Sequence, residues 1–116
     1  MNKKSTRYKS GKQEKYIAKL TNSRLQPNSG ATLFKKGDIV NTNWLFEAKT
    51  CMKSQQSFNI KKDWLDKLKN ESLAMKKEFY ALVFNFGEEN QGNYFVINEK
   101  IFKQILSLLE ELENDK

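Results

Sequence analysis

Two carboxylates and a lysine, spaced as on neighbouring β-strands, are the residues best placed for chemistry in this 116-residue sequence. Glu47 and Lys49 lie two positions apart in a predicted strand over residues 43–50, so their side chains share one face. Asp38 opens the preceding predicted strand, 38–42, and a turn between the strands would place it beside Glu47. Two converging carboxylates form an oxygen-ligand site suited to Mg²⁺, which activates a bound water and stabilises phosphoryl charge. Lys49 would orient that water or neutralise charge in the transition state.

An ordinary salt-bridged hairpin is the alternative interpretation of the same residues. Acidic and basic side chains two apart are common on exposed strands, so the spacing alone is a weak motif. The flanking residues favour a site, because Asp38 is followed by Ile39 and Val40, and Glu47 follows the apolar residues 44–46. Charges within apolar strands are costly unless they have a partner or a task.

Absent residue types exclude several classes of active site. The sequence contains no His and a single Cys, Cys51, which is expected to be a small structural residue rather than a functional thiol. A His-based zinc site, an HNH-type nuclease centre, a Ser-His-Asp triad and an intrachain disulfide are therefore excluded. The sequence also lacks the G-x-x-x-x-G-K-[ST] pattern of a P-loop. Catalysis would have to use carboxylates, lysines or hydroxyl groups, with or without an oxygen-bound metal.

Length and composition are those of one folded domain. The 116 residues are 38% hydrophobic and 12% aromatic, which is enough to form a core. The sequence has no run of about 18 apolar residues, so no membrane-spanning helix is predicted. The first residues are charged and no apolar stretch follows them, so the cytoplasm is the expected compartment.

Positive charge is concentrated in the first third of the chain. Residues 1–36 hold ten Lys and Arg and one acid, Glu14, whereas residues 37–116 hold eleven basic and thirteen acidic residues. This distribution favours a nucleic-acid partner, with a solubilising basic tail as the alternative. The candidate phosphate contacts form two groups. For the group in the basic arm the alternative is a disordered tail, and for the group after the strand of Glu47 the alternative is solvated lysines. The candidates are Arg7, Lys9 and Lys12 in the basic arm, and Lys53, Lys61 and Lys62 after the strand that carries Glu47.

The predicted elements alternate between helices and strands. In chain order they are a flexible arm over 1–10, a helix over 12–22, strands over 38–42 and 43–50, a helix over 60–76, strands over 80–86 and 94–97, and a final helix. Asn59 and Asn98 are expected to cap the second and third helices. Apolar residues follow the helical period most clearly in the final helix, from Ile101 to Leu112. This order predicts one α/β domain over residues 11–116, with a mixed sheet flanked by helices.

The ordered set of candidate residues resembles the PD-(D/E)XK nuclease superfamily, and within it the archaeal-type Holliday junction resolvases, including small phage-borne members. The resemblance covers roughly residues 12–97, with Gly37 in place of the Pro of the motif. It is carried by Glu14 on the first helix, Ser29-Gly30-Ala31 in the following loop, Gly37-Asp38-Ile39, and Glu47-Ala48-Lys49, followed by a helix and an apolar strand.

The resemblance implies a restriction-endonuclease-like fold and a role for each matched residue. Asp38, Glu47 and the backbone carbonyl of Ala48 would hold Mg²⁺, for which Mn²⁺ would substitute. Lys49 would be the catalytic lysine, Glu14 would complete the metal site, often through water, and Ser29 would act in junction cleavage. Without the resemblance, Glu14 is better interpreted as a surface residue paired with Lys15 or Lys19.

A resolvase must nick two strands symmetrically, so the resemblance also implies a homodimer. The final helix is one candidate interface, because Leu106 lies off its main apolar stripe. If the protein is phage-encoded, its compartment is the host cytoplasm. Two alternatives remain, a PD-(D/E)XK nuclease acting on another DNA structure and a non-catalytic basic DNA-binding protein. The aromatic residues Trp44, Trp64, Phe84 and Phe86 are assigned to the core rather than to base stacking.

Overall fold

A computed structural model describes residues 6–26, 39–87 and 92–115, with side chains described from Gly11 onward. Three helices and five strands are formed within these ranges. They are α1 (Thr6–Leu20), β1 (Arg24–Leu25), β2 (Ile39–Val40), β3 (Trp44–Lys49), α2 (Lys62–Ala74), β4 (Phe79–Phe84), β5 (Tyr94–Val96) and α3 (Glu99–Asn114). No helix in these ranges is both long enough and apolar enough to cross a membrane.

The strands form one mixed sheet in the order β1-β2-β3-β4-β5. β3 and β4 are parallel over six residue pairs, from Trp44↔Phe79 to Lys49↔Phe84, and every other neighbouring pair is antiparallel. A parallel pair needs a crossover connection, and α2 lies in the segment that joins β3 to β4. The predicted α/β class with a mixed sheet is confirmed, and the apolar strand β4 lies between two neighbours as its composition indicates.

Helices cover both faces of the sheet and divide the core in two. On the α1 face, Ile17 and Ala18 pack with Ile39, Phe46 and Ala81. On the α2 face, the buried residues are Val40, Leu45, Leu68 and Leu82. Because successive strand residues point to opposite faces, β3 contributes Phe46 to the first cluster and Leu45 to the second.

The assignment of the aromatic residues to the core is confirmed where the structure tests it. Trp44 packs against the α1-side core and Trp64 against the α2-side core. Phe84 is buried, and Phe86 contacts it edge to face with ring centroids 5.5 Å apart.

The first helix begins earlier than predicted. α1 starts at Thr6, so residues 6–10, expected in a flexible arm, are helical. Once Ile17 and Ala18 anchor the helix in the core, each further residue adds a backbone hydrogen bond at little cost. The helix ends at Leu20 rather than at residue 22, because Asn22 adopts a left-handed conformation with φ of 53°.

One further helix start differs from its prediction, one agrees, and one strand was not predicted. α2 begins at Lys62 with Lys61 at its N-cap in an extended conformation, so the prediction that Asn59 caps this helix was wrong. Ile60, beside Asn59, lies before the helix and packs against the α2-side core. Asn98 does cap α3, because its Oδ1 accepts a hydrogen bond from the Ile101 backbone N–H at 2.8 Å. The two-residue strand β1 was not predicted at all.

Candidate functional site

Glu47 and Lys49 form a close ion pair at the carboxyl end of β3. Lys49 Nζ lies 3.2 Å from Glu47 Oε2, and the two side chains are only 17% and 15% exposed. Lys49 Nζ also lies 4.3 Å from the centroid of the Trp64 ring, which confirms that the pair points to the α2 face of the sheet. By comparison, the side chains of the Lys62–Asp66 pair on α2 are 85% and 56% exposed. The structure therefore shields the strand-end pair much more strongly from water.

Two residues of the predicted site, Asp38 and Ser29, lie outside the described residues. Within the described ranges, no group of three or more Asp, Glu, Cys or His side chains is close enough to hold a metal ion. Among the residues of the motif in β3, Glu47 provides a carboxylate on the same face as Lys49, and Ala48 lies between them in the strand. The three-acid metal site thus stays a prediction.

Glu14 lies on α1, which packs on the opposite face of the sheet from Glu47. Its side chain is half-buried, and burial raises the pKa of its carboxyl above the ordinary value of 4.5. Within the described ranges no ion pair joins Glu14 to Lys15 or Lys19, so the surface-pair interpretation lacks its contact. Burial disfavours the ionised form of this carboxyl, which makes Glu14 suited to binding a cation or a proton.

Gln13 is a site residue that the sequence reasoning missed. Its side chain is buried, its Nε2 donates to the Lys49 carbonyl at 3.1 Å, and its Oε1 accepts from Thr50 Oγ1 at 3.0 Å. Gln13 therefore joins α1 to the carboxyl end of β3 and fixes where the neighbouring Glu14 lies. A signal was present, because Gln13 stands four residues before the buried Ile17 and so lies on the buried stripe of the helix.

The predicted DNA contacts differ in their surroundings. Lys53 and Lys61 are exposed, and Lys61 Nζ lies 5.7 Å from the centroid of the same Trp64 ring that Lys49 contacts. Lys62 is exposed but pairs with Asp66 at 2.7 Å, which partly neutralises its charge. Lys12 is exposed on α1, while the side chains of Arg7 and Lys9 lie outside the described set.

The loop after β3 is held against the end of β4. Cys51 is buried, and its thiol donates to the Lys53 carbonyl at 3.0 Å. The Gln55 backbone N–H donates to the Phe86 carbonyl at 2.9 Å. Gly87 follows with φ of +94°, and a Cβ on this residue would overlap the Lys53 carbonyl. The loop that carries Lys53 beside the site is thus set by close backbone packing.

Comparisons of the chain with protein families, with curated proteins and with solved structures found no match. The features of the chain that bear on its chemistry are the strand-end ion pair, the half-buried Glu14 and the arrangement of the sheet, together with the motif spacing.

Proposed function

We propose that this chain is a metal-dependent DNA endonuclease of the PD-(D/E)XK type, acting on four-way junctions as a Holliday junction resolvase. The observation that carries the proposal is the shielded Glu47–Lys49 pair at the carboxyl end of β3. Shielding an ion pair from water costs about as much as the pair recovers, so such a pair is a poor device for stability. Its place at the end of an otherwise apolar strand supports a chemical role.

The sheet register supports a contribution from Asp38. Ile39 pairs with Phe46, the residue immediately before Glu47. Consecutive Cα atoms are about 3.8 Å apart, so the chain connects Asp38 directly to this pair of strands. A carboxylate tethered there can complete the oxygen-ligand set that Mg²⁺ prefers.

The residues present fit a hard divalent cation in their chemistry. Glu47 contacts Lys49 through Oε2, and a carboxylate oxygen is a ligand that such a cation prefers. Asp38, Glu47 and the Ala48 carbonyl would hold Mg²⁺ or Mn²⁺, and Glu14, which lies on the α1 face of the sheet, would contribute only through a bound water. The cation would supply an activated water and charge stabilisation at the scissile phosphate.

Lys49 has the clearest role of its own in this proposal. Its ammonium group, held by Glu47 and the Trp64 ring, presents a localised positive charge at the strand end. We expect it to hold the attacking water or to neutralise a phosphate oxygen as charge develops. Ser29 is assigned a part in junction cleavage on its place in the motif alone.

A cleavage assay on matched DNA substrates tests the function. Labelled four-way junction, duplex, flap and single strand are incubated with the protein and Mg²⁺, Mn²⁺ or EDTA. We expect paired symmetric nicks in the junction with either metal and none with EDTA, because two active sites of a dimer face opposite strands. Equal cutting of the other substrates would assign the chain to a nuclease for another DNA structure.

A non-catalytic basic DNA-binding protein is the second candidate. The observation that favours it is the exposed Lys61, whose Nζ lies 5.7 Å from the centroid of the Trp64 ring, together with the exposed Lys53 in the loop after β3. Salt-sensitive DNA binding without any metal-dependent cleavage would decide for this candidate.

A further inference from the structure

An exposed tyrosine, Tyr94, lies at the same end of the sheet as the Glu47–Lys49 pair. Lys49 pairs with Phe84 and Phe84 pairs with Tyr94, so these three residues form one row across β3, β4 and β5. Residues paired in adjacent strands share a face, and Val96, two positions after Tyr94, packs in the α2-side core. Tyr94 therefore lies on the face that carries the ion pair. With strands about 4.8 Å apart, the row from Lys49 to Tyr94 spans roughly 10 Å.

Other aromatic rings hold Tyr94 in place. Its ring stacks on that of Phe84, with centroids 5.7 Å apart and planes inclined by 28°, and it contacts the Phe86 ring edge to face at 5.6 Å. Phe84 is buried and also stacks on Phe58 at 4.5 Å. Tyr94 is nevertheless 55% exposed. A rigid ring that is packed on its neighbours and open to water can bind a planar partner at a small cost in entropy.

Side-chain hydrogen bonds fix the backbone next to these rings. Asn85 Nδ2 donates to Asn93 Oδ1 at 3.1 Å, which joins the end of β4 to the residue before Tyr94. Asn85 Oδ1 accepts a hydrogen bond from the Gly87 backbone N–H at 2.9 Å. The position of the Tyr94 ring is thus set before any ligand binds.

Positive charge lies close to the aromatic row. Lys53 is exposed, and its backbone carbonyl packs closely against Gly87, three residues after the end of β4. Lys61 is also exposed, and its Nζ lies 5.7 Å from the centroid of the Trp64 ring, which in turn contacts the Phe58 ring at 6.2 Å. Lysines around an open aromatic ring suit a ligand that combines phosphates with planar bases, as single-stranded DNA does. An apolar peptide would not use these charges.

We propose that the Tyr94 ring stacks on an unpaired DNA base close to the phosphate that is cut. This inference rests on the proposed nuclease function and adds the feature of the DNA that the site binds. The roughly 10 Å from Lys49 to Tyr94 equals about three base steps of stacked DNA, so the base belongs to a nucleotide near the scissile phosphate. Bases within a duplex stack on one another and must be unstacked before a protein ring can contact their faces. Tyr94 therefore favours DNA with an unpaired nucleotide at the branch point, whatever its base.

Fluorescence anisotropy in EDTA tests stacking without cleavage. The probes are a labelled oligothymidine of about 12 nucleotides and an abasic strand of the same length, which is within the range of single-strand binding sites. Both carry the same phosphates, so the difference between their affinities measures contacts to bases. Tyr94→Leu keeps an apolar contact with Phe84 but has no aromatic face, and it should weaken oligothymidine binding by about 5- to 150-fold. Its affinity for the abasic strand should stay within about twofold of wild type.

Two further variants separate stacking from a structural role. Tyr94→Trp should keep the oligothymidine affinity, because Trp also provides an aromatic face. Tyr16→Leu is the matched control, since Tyr16 is 57% exposed but lies on α1, which packs on the other face of the sheet. It should bind both strands as wild type does. Equal loss of both strands in Tyr94→Leu would overturn the proposal, because damage to the fold does not distinguish bases from phosphates.

Cleavage in Mg²⁺ separates this inference from the proposed function. Wild type should cut a junction with one unpaired thymidine at the branch point faster than a fully paired junction, and Tyr94→Leu should lose this preference. Junction cleavage and oligothymidine binding that are both unchanged in Tyr94→Leu would overturn the stacking inference and leave the nuclease proposal standing. Base-dependent binding by a wild-type protein that cuts no DNA would overturn the nuclease proposal and leave Tyr94 as a stacking residue of a DNA-binding protein. Equal affinity of wild type for the two strands, or no binding of either, would overturn the stacking inference.

Discussion

Lys49 Nζ lies 3.2 Å from Glu47 Oε2, and both side chains are more than four-fifths shielded from water. The two residues therefore depend on each other electrostatically, because either one alone would leave an unpaired charge in a partly dry environment. Trp64 provides the other wall of this site, with its ring 4.3 Å from the ammonium group. The role of each charge in the pair can therefore be measured by removing one charge at a time by mutation.

Glu47→Gln should abolish metal-dependent cleavage while DNA binding is kept or strengthened. The change removes one carboxylate ligand and one negative charge facing the phosphates, and we expect a loss of about 100-fold or more in the single-turnover rate. Asp66→Asn is the matched control, because it also removes a carboxylate paired with a lysine, but at an exposed position on α2. Cleavage by Glu47→Gln at the wild-type rate would contradict the assigned site.

Gln13→Ala should destabilise the fold by about 1–3 kcal/mol, since it leaves the Lys49 carbonyl and the Thr50 hydroxyl without their buried partner. Gln13→Glu keeps the acceptor for Thr50 but places a buried carboxylate oxygen against the Lys49 carbonyl, so it should destabilise the fold at least as much. Urea denaturation measures both variants against Lys15→Ala, an exposed change on the same helix expected within about 0.5 kcal/mol of wild type. Equal stability of Gln13→Ala and Lys15→Ala would show that the bridge between α1 and β3 is not important for stability.

Glu14→Gln should stabilise the protein at pH 7 and have little effect near pH 4. Burial raises the pKa of Glu14 in the folded state, so ionised Glu14 opposes folding above that pKa. The cost disappears as the pH falls through the folded pKa towards the ordinary value of 4.5, where wild type and variant converge. Urea midpoints at the two pH values measure the effect, with exposed Glu78→Gln as the control.

The same Glu14 variant should cleave DNA more slowly if this carboxylate completes the metal site. Gain of stability with loss of activity is typical of residues kept for function. Unchanged cleavage together with the stability gain would show that Glu14 has no role in cleavage.

The strands that carry the site were predictable because their sequences hold the information locally. Alternation places Glu47 and Lys49 on one face of β3, and the apolar run ending at Phe84 indicates a strand with neighbours on both sides. β1 was not predictable, since Arg24 and Leu25 are both exposed and become a strand only by pairing with β2. Such pairing depends on residues far along the chain.

Contacts between elements were the part of the site that sequence periodicity does not encode. The bridge from Gln13 to Lys49 spans 36 residues and requires α1 to pass the end of β3. The position of Trp64 over Lys49 similarly requires the packing of α2 against the sheet. The period of α3 was evident in the sequence, but only the structure separates its anchored side at Ile101 from its exposed apolar side.

Gly87→Ala should destabilise the protein by about 1–3 kcal/mol, because the backbone adopts φ of +94° and a Cβ would overlap the Lys53 carbonyl. The displaced loop carries Lys53, so DNA affinity should fall as well. Gly92→Ala is the control, since its Cβ would meet no atom within 4 Å. The melting temperature of Gly87→Ala should be lower than that of Gly92→Ala. Similar melting temperatures would show that the loop accommodates the added Cβ without loss of stability.

The exposed lysines Lys53 and Lys61 should account for part of the salt dependence of DNA binding. Each phosphate contact contributes a slope of about −0.9 in log K against log salt, and for a dimer on a junction we expect a total of at least about −5. Changing Lys53 and Lys61 together to Gln should reduce the magnitude of this slope by roughly 3 to 4 across the two subunits. Lys62→Gln should change it less, because Lys62 is already paired with Asp66.

Salt titrations on junction and duplex compare the Lys53 and Lys61 double variant with Lys67→Gln and Lys69→Gln, two exposed changes further along α2. The double variant should weaken both DNA substrates similarly, since phosphate contacts position the protein without reading sequence or branch structure. Preference for the junction should persist, because it depends on how a dimer presents two sites. An equal slope change in the control would show that binding is spread over α2, and loss of junction preference would assign branch recognition to these two lysines.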